Sequence, residues 1–385
     1  MRTEIQLIVP MTGVGQRFID AGFKDLKPLI ETKIGTMLES VLARFSKIES
    51  PICIISEHAQ EKEKLIRVIS ALRPKSQIIE IPSHKKGPSF AIWQIREFIN
   101  QELPTIVSYC DFSGVWNEND FYEELVKYDG LIQTYTGFHP HMLRNHKFAY
   151  VKKDIDGRVI DIQEKKPYTD KPMEEEASSG IYGFKSGKIL IEAIQAQIDQ
   201  DLSLNGEFYT SLTYLPLIQK NFDIRTLTID KFFQWGTPDD LKDFDFWVEL
   251  SQGTLPNGNS LREESAIVLA AGLGSRVAKM AKSEKPFIEI FGNSLWNYSA
   301  AQFQKSKQRI VFTSDQNIPK FQNDNLFDFE IHSVKFQTTS QAESAFYATQ
   351  IVIEQEKPVH ILACDNLVLD KNMDSLSKFV HDAEL

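Results

Sequence analysis

The chain has 385 residues, of which 42% are hydrophobic and 25% are charged. At about 150 residues per domain, this length predicts two or three globular domains and excludes a mini-protein that needs disulfides or metals to fold. The formal charge of -10 excludes a broad positive field for binding nucleic acid or an anionic membrane, so any phosphate binding must be local.

The cellular context is indicated by what the sequence lacks. No apolar run approaches the roughly 20 residues that a bilayer requires, and the first residues lack the basic-then-apolar layout of a secretory signal. Both observations favour a cytoplasmic protein. The three cysteines, Cys53, Cys110 and Cys364, form neither a CxxC pair nor a zinc spacing, so we expect buried free thiols.

Short β-branched runs alternate with amphipathic stretches from the start of the chain. The predicted strands are residues 5–9, 52–55, 78–81 and 105–109, and the predicted helices are residues 37–45 and 90–99. This βαβ rhythm predicts an α/β fold with a parallel, Rossmann-like sheet. From about residue 150 to residue 184 the strands are shorter and broken by turns, which predicts an inserted mixed lobe.

Turn and breaker residues are concentrated just after residue 250. We therefore predict a first domain at 1–250, a linker at 251–262 and a second, partial α/β domain of the same type at 263–385.

The segment after the linker repeats the motifs that open the chain. The sequence Gly13-Val14-Gly15-Gln16-Arg17, followed by Lys27-Pro28, corresponds to Gly272-Leu273-Gly274-Ser275-Arg276, followed by Lys285-Pro286. Further on, Cys110-Asp111 corresponds to Cys364-Asp365, each with a proline seven residues before the aspartate. The repeat predicts a complete domain followed by the first half of a second copy, rather than a solenoid.

The glycine loop has a chemistry of its own. A strand that runs into Gly13 and Gly15 and then into a helix presents backbone N–H groups and the Arg17 guanidinium to one point, which suits a polyphosphate. The loop lacks the third glycine of the dinucleotide fingerprint, because Phe18 stands there, and it lacks the GK[ST] ending of a P-loop. A GxG alone is more often a tight turn, but the matched arginine and lysine in both copies favour phosphate binding.

Four more motifs follow in the first copy: Gly87-Pro88-Ser89-Phe90-Ala91, Glu164-Lys165-Lys166-Pro167, Ser179-Gly180-Ile181-Tyr182 and Gln234-Trp235-Gly236-Thr237-Pro238. Together with the glycine loop, Lys27-Pro28 and Asp111, and in this order over about residues 4–245, they resemble the sugar-phosphate nucleotidyltransferases. The first copy is most similar to the branch tied to capsule and surface-polysaccharide synthesis. The resemblance implies attack of a sugar 1-phosphate oxygen on the α-phosphorus of an NTP, with release of pyrophosphate and with Mg²⁺ as cofactor. The NTP and the sugar 1-phosphate are the implied partners.

The resemblance also implies roles for particular residues. Arg17 would hold the departing phosphates, Lys27 would bridge the phosphates near the reacting centre, and Asp111 would hold Mg²⁺. The implied nucleotide-binding residues are Gly13 and Gly15 of the glycine loop and Gly87 and Ser89 of the turn at 87–91, which the resemblance implies as the base-binding turn. The implied sugar-phosphate contacts are Glu164, Lys165, Gly180 and Tyr182. Neither the base nor the sugar is specified by these motifs.

Gln234 departs from the family pattern. It stands two residues before Gly236, where many relatives have a second metal-binding aspartate. A neutral amide is a weaker magnesium ligand than a carboxylate, so metal binding is expected to depend on Asp111 and the substrate phosphates, or to be reached through water. A nucleotide-binding regulator without turnover is therefore an alternative function.

Each candidate also has a purely structural interpretation. Asp111 could cap a turn, residues 164–166 could form an exposed charged turn, and Tyr182 could pack its ring in a strand. Glu207 is at least as compatible with the first turn of a helix as with a substrate contact.

The second copy allows several interpretations. Its candidate residues are Gly272, Gly274, Arg276, Lys285 and Asp365. It could bind a nucleotide, but it lacks the sugar-binding half and is not expected to complete transfer alone. It could be a regulatory or vestigial domain, an assembly domain of a homo-oligomer, or part of a longer two-headed enzyme.

Overall fold

A computed structural model describes residues 4–59, 61–143, 147–255, 264–272, 274, 277, 281, 283–353 and 358–367. The chain divides into two compact units, Met1–Asp245 and Phe246–Leu385. The division falls within one helix, Pro238–Ser251, and the predicted linker at 251–262 lies largely outside the described residues. In the described part of the chain, no helix is long and apolar enough to cross a membrane.

The first unit alternates strands and helices. Its strands are β1 (Gln6–Met11), β2 (Glu31–Thr32), β3 (Gly35–Thr36), β4 (Ile52–Ser56), β5 (Gln77–Ile81), β6 (Thr105–Ser108), β7 (Phe112–Val115), β8 (Gly130–Tyr135), β9 (Ala149–Lys153), β10 (Val159–Glu164), β11 (Glu176–Phe184), β12 (Ile224–Ile229) and β13 (Lys231–Gln234). Its helices are α1 (Gln16–Asp20), α2 (Met37–Ala43), α3 (Lys62–Leu72), α4 (Pro88–Gln94), α5 (Glu118–Leu125), α6 (Gly187–Asp199), α7 (Tyr214–Gln219) and α8 (Pro238–Ser251).

One nine-stranded sheet organises this unit. Its main path runs β10-β9-β11-β6-β1-β4-β5, with β8 beside β11 and β12 beside β8. Strands β5, β4, β1 and β6 are parallel, whereas β11 is antiparallel to β6. Successive side chains of β1 enter different hydrophobic clusters, Leu7 and Val9 in one and Ile8 in the other. Since neighbours along a strand point to opposite faces, the sheet is buried on both sides, as expected for parallel strands.

The predicted elements occur at or near their predicted positions. The strand predicted at 105–109 ends at Ser108, and the helix predicted at 90–99 ends at Gln94 and is followed by a 3₁₀ turn, Arg96–Phe98. In the segment predicted as a mixed lobe, β9 and β10 form an antiparallel pair. That pair joins the main sheet because β9 also pairs with β11.

The second unit has a smaller sheet of the same kind. Its strands are β14 (Ser265–Leu269), β15 (Glu289–Ile290), β16 (Asn293–Ser294), β17 (Gln308–Ser314), β18 (Glu330–Val334) and β19 (Val359–Ala363), and its helices are α9 (Leu295–Ala301), α10 (Ile318–Asn323) and α11 (Gln341–Thr349). Four strands lie in the order β18-β17-β14-β19 and all pairs are parallel. The predicted fold class, an α/β protein with a second partial α/β sheet, is confirmed.

The three cysteines are free and buried, as predicted. Burial raises the thiol pKa to about 12 for Cys53, Cys110 and Cys364, because a thiolate loses its hydration in the interior. The thiolate is the reactive form, so we expect almost no reaction of the native chain with a disulfide reagent such as DTNB at pH 8. The denatured chain should release three equivalents of thionitrobenzoate, one for each cysteine. Rapid release of one equivalent of thionitrobenzoate by the native chain would show that one thiol is accessible and ionised.

Candidate active site

The first unit has a cavity of about 1050 Å³ near the carboxyl ends of the parallel strands β1 and β6. This edge of an open α/β sheet is where ligands commonly bind. The whole chain carries a net charge of -10, but this cavity combines cationic and acidic residues: Arg17, Lys27, Lys147, Lys165 and Lys166 with Asp111, Glu164, Glu207 and Asp240. The cations slightly outnumber the carboxylates, so anionic groups can be bound locally by particular lysine and arginine side chains.

Lys27 is held in place from three directions. Its Nζ atom lies 2.5 Å from Oδ2 of Asp111 and 5.6 Å from the centroid of the Phe18 ring. Gly15 adopts a left-handed conformation with φ of 69°, and a β-carbon added there would lie 3.2 Å from Cβ of Lys27. The glycine therefore lets the loop backbone approach the lysine stem closely.

The backbone at Lys27 is equally restrained. Lys27–Leu29 is a 3₁₀ turn in which Pro28 and Leu29 are buried. The proline fixes φ near the helical value, so the lysine projects from a rigid base. Arg17, by contrast, is exposed in α1, a helix of only five residues that can contribute little dipole to the loop.

Asp111 lies where the chain leaves β6, between two backbone hydrogen bonds. Tyr109 donates its N–H to the carbonyl of Gly180, and Trp235 donates its N–H to the carbonyl of Asp111. The Asp111 carboxylate accepts from Lys27. Among the described residues, the Asp111 carboxylate pairs with Lys27 and does not cap a turn. The turn-capping interpretation of Asp111 therefore does not describe this geometry.

Gln234 lies beside Asp111. It ends β13, where it pairs with Phe112, the residue after Asp111. It also lines the cavity, and a β-carbon added at Gly236 would lie 2.4 Å from its Nε2 atom. Asp240 lines the cavity too, but its Oδ2 accepts a 2.7 Å hydrogen bond from Thr237 at the start of α8.

The donor set bears on whether a metal fits here. The described residues contain no group of three His, Cys, Asp or Glu side chains that could hold a metal ion. Mg²⁺ is commonly held by one or two carboxylates together with substrate phosphates and water. Asp111 therefore fits magnesium only as part of a site that a bound triphosphate completes.

A second polar network lies across the cavity. Lys165 Nζ donates a hydrogen bond to the hydroxyl of Tyr209, which donates to Oε2 of Glu207 at 2.7 Å. Ser211 donates to Oε2 of Glu164 at 2.5 Å. Burial raises the pKa of Glu164, while the hydrogen bond from Ser211 and the charge of Lys165 oppose that rise. The network holds one lysine ammonium towards the cavity.

Sequence reasoning missed part of this network. Tyr209 was not singled out, and the helix interpretation of Glu207 is wrong, because Glu207 lies in a turn closed by a bridge to Leu204. The nearest helical turn begins at Thr210. A tyrosine two residues after a glutamate carries no pattern of its own, and its contact with Lys165 spans 44 positions.

The charged-turn alternative for residues 164–166 is wrong for Glu164 and Lys165, which are partly buried, and fits Lys166, which is exposed.

The other predicted sugar-phosphate contacts lie on β11. Gly180 has φ of 96°, which favours glycine, and it lines the cavity with Tyr182. Tyr182 is almost fully buried, and its ring centroid lies 5.7 Å from that of Tyr109. Tyr182 therefore packs its ring in the strand, as the structural interpretation predicts, and it also forms part of the cavity lining.

The predicted base-binding turn is placed differently. Ser89 is fully buried, and its N–H donates to the carbonyl of Phe208. A β-carbon added at Gly87 would lie 2.7 Å from both the backbone N and O of Phe208. None of the four predicted nucleotide-binding residues, Gly13, Gly15, Gly87 and Ser89, is among the residues that line the cavity. The loop through Gly13 and Gly15 leads from β1 to α1 and adjoins the cavity through the contact of Gly15 with Lys27.

The second unit places four of its five candidate residues near one another. Lys285 Nζ lies 2.6 Å from Oδ2 of Asp365. Gly272, Gly274, Lys285 and Asp365 line one cavity of about 390 Å³. Arg276 lies outside the described residues.

The sheet order and the cavity at the strand ends, which lysine, arginine and carboxylate side chains line together, define a Rossmann-like α/β protein with a polar, charged site. The family model described as "Nucleotidyl transferase" matches residues 8–215, which is more than half of the chain. The chain therefore belongs to the nucleotidyl transferase family. No match was found among curated protein sequences.

Solved structures share the fold at low sequence identity. A nucleoside-diphosphate-sugar pyrophosphorylase from Vibrio cholerae RC9 superposes with a TM-score of 0.52 at 20% identity, over 62% of this chain and 99% of its own. A protein assigned as a glucose-1-phosphate thymidylyltransferase from Bacillus anthracis gives a TM-score of 0.51 at 16% identity, over 63% of this chain and 95% of its own. A UDP-glucose pyrophosphorylase complexed with UDP-glucose gives 0.51 at 14% identity, over 65% of this chain and 99% of its own.

Proposed function

We propose that this chain is a Mg²⁺-dependent nucleotidyltransferase that joins an NTP to a sugar 1-phosphate and releases pyrophosphate. The observation that carries the proposal is the single cavity that contains both the Arg17, Lys27 and Asp111 group and the Lys165 network. The reaction has two anionic substrates, and the cavity has a cationic side chain for each. The sugar-nucleotide activities named for the three solved structures support the same substrate class.

The proposed chemistry needs no covalent participation by the protein. The sugar-phosphate oxygen forms a bond to the α-phosphorus, and the bond from the α-phosphorus to the bridging oxygen breaks, with its electron pair leaving on pyrophosphate. The nucleophile is already an anion, so no proton has to be removed. The protein's task is to align two polyanions that repel each other and to stabilise charge on the transferring and leaving phosphates.

On the nucleotide side, we assign Lys27 to the phosphates near the reacting centre and Arg17 to the leaving pyrophosphate. Lys27 is a compact charge in a fixed position, since Asp111, Phe18 and the Gly15 backbone surround it. Arg17 is exposed and offers a fork of donors that can follow the departing group. The loop through Gly13 and Gly15 would supply backbone N–H groups to the phosphates.

Magnesium bound with the triphosphate would supply positive charge that offsets the charge of the reacting phosphates. Asp111 would hold it together with phosphate oxygens. The Lys27 ammonium is paired with the Asp111 carboxylate and competes with a metal ion for it, so we expect weak metal binding until a nucleotide supplies further oxygens. Gln234 adds a neutral oxygen at most, which is the observation that favours a nucleotide-binding regulator as the second candidate function.

On the sugar side, we assign Lys165 to the phosphate of the acceptor. Replacing Lys165 with methionine is expected to raise the KM for the sugar 1-phosphate by about 10-fold or more, because a hydrogen bond to a charged group is worth about 1.5–3 kcal/mol. The KM for the NTP should change little. Steady-state kinetics with each substrate varied in turn measures the split. Lys188→Met, an exposed lysine on α6, is the matched control; equal rises in both KM values would contradict the assignment.

The function itself is tested by pyrophosphate release from the intact chain with Mg²⁺. Each of the four common NTPs is paired with a panel of sugar 1-phosphates, and Asp111→Asn serves as control. Release that requires one NTP, an acceptor and Asp111 would support the transferase. Nucleotide binding without release would favour the regulator, and failure to bind any nucleotide would eliminate both.

The cellular role is a further part of the proposal. The similarity of the first glycine loop to the capsule and surface-polysaccharide branch supports a product that is a precursor of surface polysaccharide. A cytoplasmic location fits substrates of this kind and stays a prediction from the sequence.

A further inference from the structure

The second unit repeats the topology of the first around its cavity. The sheet order β18-β17-β14-β19 corresponds strand for strand to β5-β4-β1-β6, and every pair in both sets is parallel. Asp111 and Asp365 follow the equivalent strands β6 and β19 by three and two residues. Both aspartates therefore lie at the same end of the same kind of sheet, where ligands bind in α/β proteins.

The local geometry around the two lysines is also repeated. Lys285 begins a 3₁₀ turn, Lys285–Phe287, as Lys27 begins Lys27–Leu29. The distance from Nζ to the aspartate Oδ2 is 2.6 Å in the second unit and 2.5 Å in the first.

The glycine before each lysine is matched as well. Gly274 has φ of 59°, and a β-carbon added there would lie 2.8 Å from Cβ of Lys285. The corresponding values at Gly15 are 69° and 3.2 Å. The second unit thus keeps the close packing of a loop backbone on a lysine stem, and not merely the sequence motif.

The cavity itself has the size and lining of a nucleotide site. Its volume of about 390 Å³ falls within the roughly 300–1,000 Å³ of small-molecule sites. Its lining includes the Lys285 ammonium, the Asp365 carboxylate and two exposed amides, Gln337 and Gln341. The buried hydroxyls of Thr338 and Ser344, which also line it, are hydrogen-bonded to each other at 2.7 Å. A cation together with amide donors and acceptors suits a ligand with phosphates and a base.

We propose that the second unit contains a second nucleotide site, in which Lys285 binds the phosphates of a nucleoside triphosphate and the residue 337–341 segment faces its base. The proposal rests on the geometry of the second unit and not on turnover at the first cavity. Under this proposal, the glycine loop and lysine of the second unit bind a nucleoside triphosphate, as their counterparts in the first unit do under the proposed function.

The test counts sites on the full-length chain. Equilibrium dialysis with each of the four common NTPs, with Mg²⁺ and without an acceptor, should give two equivalents bound per chain for at least one NTP. Lys285→Met should reduce the count from two to one, and Lys27→Met should also leave one. Lys335→Met, which removes an exposed lysine of the second unit outside the cavity, should leave two.

The outcomes separate this proposal from the proposed function. One equivalent in the wild type, lost in Lys27→Met and kept in Lys285→Met, overturns the second site and leaves the first. One equivalent lost in Lys285→Met and kept in Lys27→Met supports the second site and removes the nucleotide from the first. No binding in the wild type overturns both. The number of NTP equivalents bound by the wild type is independent of whether the variants fold. Thermal unfolding of each variant shows whether that variant is folded.

Discussion

Replacing Lys27 with methionine is expected to lower pyrophosphate release by at least about 100-fold, the scale observed when one preorganised electrostatic donor is removed from an active site. Methionine keeps the length of the stem and its contact with the Gly15 backbone but removes the ammonium. The loss should appear mainly in kcat, because charge shifts onto the leaving pyrophosphate oxygen as its bond breaks, and an interaction that strengthens in the transition state lowers the barrier. Initial rates at saturating NTP and acceptor measure it.

Two comparisons make the Lys27 experiment specific. Lys24→Met removes an exposed lysine three positions away and should leave the rate within about twofold, since exposed charges contribute little. Lys27→Met also leaves Asp111 without its ion-pair partner, so the unfolding transition of the variant must be checked. A folded Lys27→Met variant with a wild-type rate would exclude Lys27 from the transfer step.

Replacing Gly87 with alanine is expected to lower the free energy of unfolding by about 3 kcal/mol. The residue has φ of 84° and ψ of 175°, a region that is essentially restricted to glycine and costs other residues about 1–3 kcal/mol. The added β-carbon would also meet the backbone of Phe208 at 2.7 Å. Relieving that contact would disturb two hydrogen bonds, Phe208 N–H to Lys86 and Ser89 N–H to Phe208.

Gly22→Ala is the matched control for Gly87. Its φ is 87°, but nothing lies within 4 Å of an added β-carbon, so only the conformational cost of about 1–2 kcal/mol remains. Urea or guanidinium unfolding of both variants gives the difference. Equal losses would mean that the close approach of Phe208 contributes nothing to stability.

The Gly87 result bears on how the turn is understood. The sequence motif predicts that the turn at Gly87 binds the base. The structure shows a separate reason for glycine at this position, because the backbone of the 204–208 loop lies too close to Gly87 for a β-carbon. If Gly87→Ala lowers the free energy of unfolding but the folded variant binds NTP as tightly as the wild type, the glycine is required for packing and not for nucleotide binding. A loss of NTP affinity larger than the stability change explains would support the predicted base contact.

Some of the site could be predicted because its information is local. The glycine loop, the Lys-Pro turn and the Cys-Asp pair are each contiguous, and two copies in one chain make their order informative. The buried strand β1 was also predictable, because a parallel strand covered on both faces is a continuous apolar run. Its observed bounds, Gln6–Met11, differ from the prediction by one residue at one end and two at the other.

Other parts depend on contacts that no local pattern encodes. Tyr209 reaches Lys165 across 44 positions, and its role follows from where the 204–209 loop lies. The burial of Ser89 likewise depends on the backbone of Phe208. A resemblance assigns roles by position in a motif, whereas exposure of a side chain is decided by whichever distant segment packs on it.

Strand β11 has a consequence for how the enzyme can move. It carries Gly180 and Tyr182, which we assign to the acceptor, and its second half, Ile181 to Phe184, is paired with β6, the strand that leads to Asp111. Rotating the acceptor side as a rigid body would require these ladder bonds to break. Closure around substrates should therefore come from exposed turns such as the one at 204–207, with the sheet stationary. Amide exchange should slow in that turn on ligand binding, while β11 stays protected throughout.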